Sequence, residues 1–287
     1  MTVGSLFAGI GGFDLGFTRA GFTVSWQVEI DEWCRGILSR HFPNAERYAD
    51  IRDTGAHNLA PVDVICGGFP CQPFSSAGKR GGAEDDRYLW PEMCRVIREL
   101  QPAWVVAENV NGLVVGEMAP VFEQVLSDLE DAGYDVQSFV IPACAVDAPH
   151  RRDRVWIVAH ARRARIYERR VITDAKGKRA RPGGVEPNGI QKIKENKGAA
   201  VAHATGERPG EAWKHCAGSE ERTARNRWTK QRGWEPEPGV RRVANGIPDR
   251  VDRLKSLGNA VVPQIPELIA RMILQTERIE ALRRLAA

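Results

Sequence analysis

The sequence predicts an α/β fold built on a mostly parallel sheet. Three observations carry this. Short apolar runs alternate with stretches of helical periodicity from residue 3 to residue 159. A glycine-rich turn joins the first run to the first helical stretch. The alternation then stops abruptly near residue 160, where a long polar, basic segment begins. Strands that alternate with helices favour a parallel sheet, because each crossover helix covers one of its faces.

The elements follow in order. Residues 3–7 form a short apolar strand, and residues 8–12 a turn rich in glycine. Phe13, Leu15, Gly16 and Phe17 open a helix that ends near Gly21. Residues 22–28 alternate as a strand does and stop at Glu29; residues 31–40 read as a helix. A third strand ends near Asp50. Residues 62–66 form a buried strand followed by a loop over 67–82. Leu89, Met93, Val96, Ile97 and Leu100 recur at helical spacing over 88–100, and a strand follows at 104–107. Residues 118–132 read as a helix, and 134–141 and 155–159 as strands. A terminal amphipathic helix spans 264–285, with Ile265, Leu268, Ile269, Met272, Ile279 and Leu282.

Composition bounds the function. With 287 residues, 43% of them apolar, the chain can build one large core, or one core plus a small domain. No apolar run reaches the roughly 18–20 residues of a membrane span. Residues 1–7 lack the basic start and apolar stretch of a secretion signal. A cytoplasmic protein with no membrane partner is expected. The six cysteines form no C-x-x-C pair, so neither a disulfide framework nor a zinc or other metal site is expected. The net charge of +4 hides an asymmetry. Residues 1–150 carry 10 Lys and Arg against 21 Asp and Glu; residues 151–287 carry 31 against 16. Such a split points to a polyanion meeting the second half. Between 161 and 245 there is little periodicity, and Trp213, Trp228 and Trp234 are spread among Arg, Lys, Gly and Pro. A small irregular domain fits this stretch, and so does a partly disordered insertion.

Two loops carry chemistry. In the first, Phe7-Ala8-Gly9-Ile10-Gly11-Gly12 lets the backbone turn sharply and approach a ligand. Glu29 stands about 20 residues on at the end of the next strand, where a carboxylate accepts hydrogen bonds from ribose hydroxyls. The dinucleotide fingerprint wants glycine at position 14, but the residue is Asp14. A carboxylate there disfavours pyrophosphate and suits a cationic cofactor with a ribose, of which S-adenosylmethionine is an example. Asp50 is placed to accept from an adenine amine, with Ile30 and Ile51 on either side of the ring. On these residues alone, a glycine turn without a ligand and an Asp50 that merely caps a helix both remain open. In the second loop, Gly67-Gly68-Phe69-Pro70-Cys71-Gln72-Pro73-Phe74-Ser75 follows a buried strand. Ligands bind outside the carboxyl ends of such strands, which puts Cys71 at the active edge. Pro70 and Pro73 stiffen its loop, and Gly67, Gly68, Gly78, Gly81 and Gly82 offer hinges for a moving lid.

Five segments, in order, resemble the motifs of DNA cytosine-C5 methyltransferases of the prokaryotic or phage type. They are Phe-Ala-Gly-Ile-Gly-Gly at 7–12, Gly-Phe-Pro-Cys-Gln-Pro-Phe-Ser at 68–75 and Glu-Asn-Val at 108–110, with Arg-Arg-Asp-Arg-Val-Trp at 151–156 and Gly-Asn-Ala-Val-Val-Pro at 258–263. The resemblance covers about 1–160 and 246–270. It implies a Rossmann-like S-adenosylmethionine-dependent methyltransferase sheet formed by 1–160 and 246–287, with a target-recognition domain at 161–245. It implies double-stranded DNA as substrate, S-adenosylhomocysteine as product, and in some relatives a cognate restriction endonuclease as companion. A monomer is expected on DNA.

The resemblance also implies roles. Cys71 attacks C6 of a flipped-out cytosine. Glu108 binds N3 and the exocyclic amine. Arg154, and less clearly Arg152, hold the base O2 and the catalytic loop. The cofactor-binding set is Phe7, Gly9, Gly11, Glu29, Ile30, Asp50, Ile51, Pro70 and Asn259. Position 150 is His where many relatives have Gln. A tRNA methyltransferase of the same fold would share every motif, whereas intact Cys71, Glu108 and Arg154 argue against a silent DNA-binding relative. Asp14 and the Pro-Cys-Gln loop argue against a nicotinamide oxidoreductase.

Overall fold

The structure, a computed structural model, describes residues 1–70, 88–115, 118–162 and 249–286. Seven strands are formed: β1 (Thr2–Leu6), β2 (Thr23–Val28), β3 (Glu46–Tyr48), β4 (Val64–Gly68), β5 (Trp104–Val110), β6 (Tyr134–Ile141) and β7 (Arg154–Ala161). The α-helices among the described residues are α1 (Gly12–Arg19), α2 (Glu32–His41), α3 (Trp90–Leu100), α4 (Ala119–Asp131), α5 (Arg250–Asn259) and α6 (Gln264–Leu285). No helix among the described residues is long and apolar enough to cross a membrane.

The strands form one sheet in the order β3-β2-β1-β4-β5-β7-β6. The first five are parallel, and β7 enters antiparallel between β5 and β6. Strand alternation sorts the core into two layers. Leu6, Ile65, Val105 and Ile157 face Met93 and Ile97 of α3 and Val125 and Leu129 of α4. Val3, Val64, Val106 and Trp156 face Phe13 and Phe17 of α1 and Ile265, Ile269 and Ile273 of α6. This is the Rossmann-like α/β class that the sequence predicts.

Close backbone approach explains two glycines. A Cβ on Gly4 would fall inside the Trp26 indole, whose Nε1–H donates to the Ala60 carbonyl at 2.8 Å. A Cβ on Gly16 would stand 2.5 Å from the Pro263 carbonyl oxygen, so α1 and α6 cross here at a distance only glycine permits.

The order also fixes where a site can form. From β1 the chain moves outward to β2 and β3, then returns to place β4 on the other side of β1. The loops after β1 and β4 therefore leave the sheet side by side in opposite directions, at a topological switch point. Both sequence-predicted loops leave from this crevice. One helix was not foreseen. α5 leaves Val251, Leu254 and Leu257 exposed and has no apolar stripe turned inward. It is held by polar contacts instead: Lys255 to Asp31 at 3.0 Å, and the Ser256 hydroxyl to the Cys34 thiol at 3.4 Å.

Candidate active site

The turn after β1 is built from left-handed backbone. Phe7, Gly9 and Gly11 have φ of 52°, 55° and 87°. A Cβ on Gly9 would meet nothing within 4 Å, so this side of the loop is open. Glu29 ends β2 beside it. Its Oε2 accepts from the Gly9 N–H at 2.7 Å and its Oε1 from the Asp31 N–H at 2.8 Å. The carboxylate is thereby fixed between the glycine turn and the start of α2, with lone pairs to spare for another donor. Ile30 is 69% exposed next to it. Asp50 caps a short 3-10 turn over 51–53, accepting from the Arg52 N–H at 3.0 Å.

Three readings change here. Asp14 does not face the crevice. It is fully buried, its Oδ1 accepting from the Gln27 amide at 2.8 Å and its Oδ2 from the Ser5 hydroxyl at 3.2 Å. Burial pushes its pKa up to about 6. Its spacing in the sequence matched a ligand-facing glycine, but the first turn of α1 aims it back at β1 and β2. Ile51 likewise offers no free face to an adenine. It is 3% exposed and belongs to the core, so of the expected pair only Ile30 is open. Gly67 and Gly68, expected as hinges, lie inside β4. A Cβ on Gly67 would stand 2.5 Å from the Leu6 carbonyl oxygen, and one on Gly68 2.9 Å from Glu108 Oε2. They make room for neighbours.

Across the crevice, Glu108 stands near the end of β5. The register pairs Glu108 with Trp156 and Val110 with Arg154, so Arg154 lies diagonal to Glu108 on the same face. Arg154 Nε meets Glu108 Oε1 at 2.9 Å. Glu108 is 8% exposed, and burial pushes its pKa up to about 7 although Arg154 and Arg152 pull the other way. Burial disfavours the charged form more strongly than two nearby cations favour it. This is a carboxyl that shares a proton near neutrality and sits beside a fixed cation.

Arg152 has φ of 38° and reaches a different partner set. Its Nη2 donates to the carbonyls of Gly258 at 2.6 Å and Ala260 at 2.9 Å, clasping the end of α5. Its Nε is buried with no hydrogen-bond partner among the described residues. Asn259 sits in that clasped turn and is exposed. Pro70 is the last described residue of the second loop before Cys71. Cys71, expected as nucleophile, lies outside the described residues, as does most of 161–245. Asn109 went unassigned in the sequence. Its amide donates to the Phe69 carbonyl at 2.9 Å and fixes the chain two residues before Cys71. Its place next to Glu108 in the Glu-Asn-Val segment was the available signal.

Comparison with known proteins decides the family. The C-5 cytosine-specific DNA methylase family model matches residues 1–238, well over half of the chain. The chain belongs to the C-5 cytosine-specific DNA methylase family. Within it, the chain is 34% identical over 157 residues to the type II methyltransferase M.NgoFVII of Neisseria gonorrhoeae, covering 54% of this chain and 42% of that one. It is 39% identical over 157 residues to the type II methyltransferase M.PspPI of Psychrobacter sp., covering 53% and 38%. The chain thus spans about half the length of these relatives or less. Among solved structures, a candidate DNA modification methyltransferase encoded within an Escherichia coli prophage aligns with a TM-score of 0.49 and 30% identity, over 56% of this chain and 47% of that one. The methylase motifs of this family member thus fall at one sheet edge: residues 7–12 after β1, 68–70 at the end of β4, 108–110 in β5, and 151–154 ahead of and into β7.

Proposed function

We propose that this chain transfers a methyl group from S-adenosylmethionine to C5 of a cytosine flipped out of a specific duplex DNA sequence. The observation that carries the reading is the pairing of buried Glu108 with the half-buried Arg154 at the carboxyl edge of β5, next to the strand end that leads into Cys71. Residues 1–160 and 246–287 form the catalytic unit, and 161–245 the target-recognition domain.

The cofactor residues fit the molecule. Glu29 and Asp50 are partly exposed carboxylates that accept from ribose hydroxyls and an adenine amine. Phe7, Gly9, Gly11 and Ile30 shape the open turn between them, and Pro70 and Asn259 bound it from the catalytic side. When bound, S-adenosylmethionine supplies the electrophilic methyl group.

The chain's own residues do the rest. The Cys71 thiolate adds to C6, and the electron pair of the C5–C6 bond becomes available at C5. Charge that develops on the ring is met at N3 by the shared proton of Glu108 and at O2 by the Arg154 guanidinium. Glu108 suits this because its pKa lies near neutrality. After C5 has been methylated, loss of the C5 proton to a base expels the Cys71 thiolate and restores the ring. A base inside the duplex cannot reach this edge, so the cytosine leaves the stack. The type II relatives suggest a restriction–modification setting.

Bisulfite sequencing of DNA from a methylation-free host that expresses the chain, beside a Cys71→Ala control, tests the proposal. Protected cytosines in one recurring sequence, absent with Cys71→Ala, are expected. Protection that persists in the control removes Cys71 as nucleophile. No protection by a folded, cofactor-binding chain removes DNA as the substrate.

A further inference from the structure

We infer that Arg95, on α3, is a positioning residue that sets how the cofactor's adenine is read. The inference rests on the proposal that Asp50 meets the adenine amine. Asp50 has little local support. It follows β3, a three-residue strand at the sheet edge, and its own cap spans one 3-10 turn.

The turn is held from outside. Arg95 Nη2 donates to the carbonyls of Ile51 and Thr54, each at 2.9 Å. These groups lie 44 and 41 residues away in sequence. The guanidinium is itself aimed by two carboxylates of its own helix. Its Nε donates to Glu92 at 2.8 Å and its Nη1 to Glu99 at 2.9 Å. The second oxygen of Glu99 accepts from the Ala56 N–H at 3.0 Å, extending the grip by one more residue. Gly55 permits this approach, since a Cβ there would run into the same Glu99 oxygen. Two bonds of one planar group thus join α3 to the stretch 51–54, and two more, to Glu92 and Glu99, hold that group in place on its own helix. A lysine ammonium cannot reproduce that fork.

Asp50 keeps capacity for a ligand. Its Oδ1 takes the Arg52 N–H, and its Oδ2 lies 3.6 Å from the Arg52 guanidinium, with the side chain 28% exposed. A carboxylate has about four acceptor sites. Arg95 touches no part of this carboxylate. It fixes the backbone that aims it.

The test uses the full chain and two probes, S-adenosylhomocysteine and S-inosylhomocysteine, which carries a 6-oxo group in place of the 6-amino group. Binding is measured by calorimetry well below the melting temperature of each variant. The wild type should favour the amino form by about tenfold, the worth of one charge-assisted hydrogen bond. Arg95→Gln should lose most of this preference by weakening the amino form, with the oxo form bound within about twofold of wild type. Arg95→Lys, the gentler change, should fall between. Asp50→Asn should erase the same preference, and adding Arg95→Gln to it should cost little more. Equal weakening of both probes in both Arg95 variants, or none in either, overturns the positioning role while the Asp50 reading stands. A wild type that binds the two probes alike removes the Asp50 reading and the inference with it.

Discussion

At the scale of single residues, burial decides the chemistry of two carboxyl groups. In the proposed reaction Glu108 must carry a proton to meet N3, and its pKa of about 7 places the change within the working range. The protonated form is populated below that value. The single-turnover rate of methyl transfer should therefore fall as pH rises through about 7, and the limb should vanish in Glu108→Gln. That variant should lose roughly 10²- to 10⁴-fold in rate, the usual contribution of a positioned acid, while DNA affinity changes only a few-fold. Comparable losses in rate and in DNA affinity would make Glu108 a structural residue. Asp14 is raised from 3.8 to about 6 with no chemistry assigned to it. The unfolded chain gives up this proton first. The carboxyl's stabilising contribution is thus complete below about pH 3.8 and is lost as pH rises through 6. Asp14→Asn keeps acceptor and donor for Gln27 and Ser5 without the charge. It should be the more stable protein at pH 8, by at most about 3 kcal/mol, with a gap that widens from pH 4 to 7 and then stays level. Thermal melts across that range check it; a gap independent of pH would show that Asp14 is not desolvated as the fold implies.

At the scale of elements, the sequence showed what periodicity and glycine punctuation can show. Strands β1, β2, β4 and β5 and helices α2, α3 and α6 lie close to where apolar spacing put them, because each buries a face of its own. Helix α5 escaped because its apolar residues stay outside and its anchors, Asp31, Cys34 and Arg152, come from distant segments. The burial of Ile51 and the clamp from Arg95 were hidden for the same reason: contacts across 40 residues leave no local trace. Asp14 misled because sequence spacing names a position in a turn and not the direction of its side chain. The α1–α6 crossing gives the sharpest test at this scale. Gly16→Ala adds a methyl 2.5 Å from the Pro263 carbonyl oxygen and 2.8 Å from the Glu267 nitrogen. Backbone must shift, at about 1–3 kcal/mol, against a gain of at most about 1 kcal/mol from better helix propensity. A melting temperature lowered by a few degrees is expected. A variant as stable as its parent would mean that the two helices do not meet there.

At the scale of the whole molecule, the proposed function assigns the charge split a role: the basic part meets DNA. Residues 161–245 carry 21 Lys and Arg against 10 Asp and Glu, which is most of the excess of the second half. The proposed catalytic unit is acidic over residues 1–150, with 21 acidic against 10 basic side chains. Alone, it would be pushed away from phosphate by its own field. On the proposed function, the basic segment supplies the attraction that brings Glu108 and Cys71 to a base. Binding should then behave as counterion release does: the logarithm of affinity falls linearly with the logarithm of salt, by about 0.9 per phosphate neutralised. Replacing Lys176, Lys178, Arg179 and Arg181 together with Gln should weaken binding to cognate and unrelated duplexes by a similar factor. It should also make the salt slope shallower by about 1 to 4, with S-adenosylhomocysteine affinity unchanged. Fluorescence anisotropy from about 50 to 300 mM salt measures both quantities. A slope that stays the same would place the phosphate contacts elsewhere. An affinity lost only for the cognate sequence would make these four residues readers of bases, since phosphate contacts weaken all sequences alike.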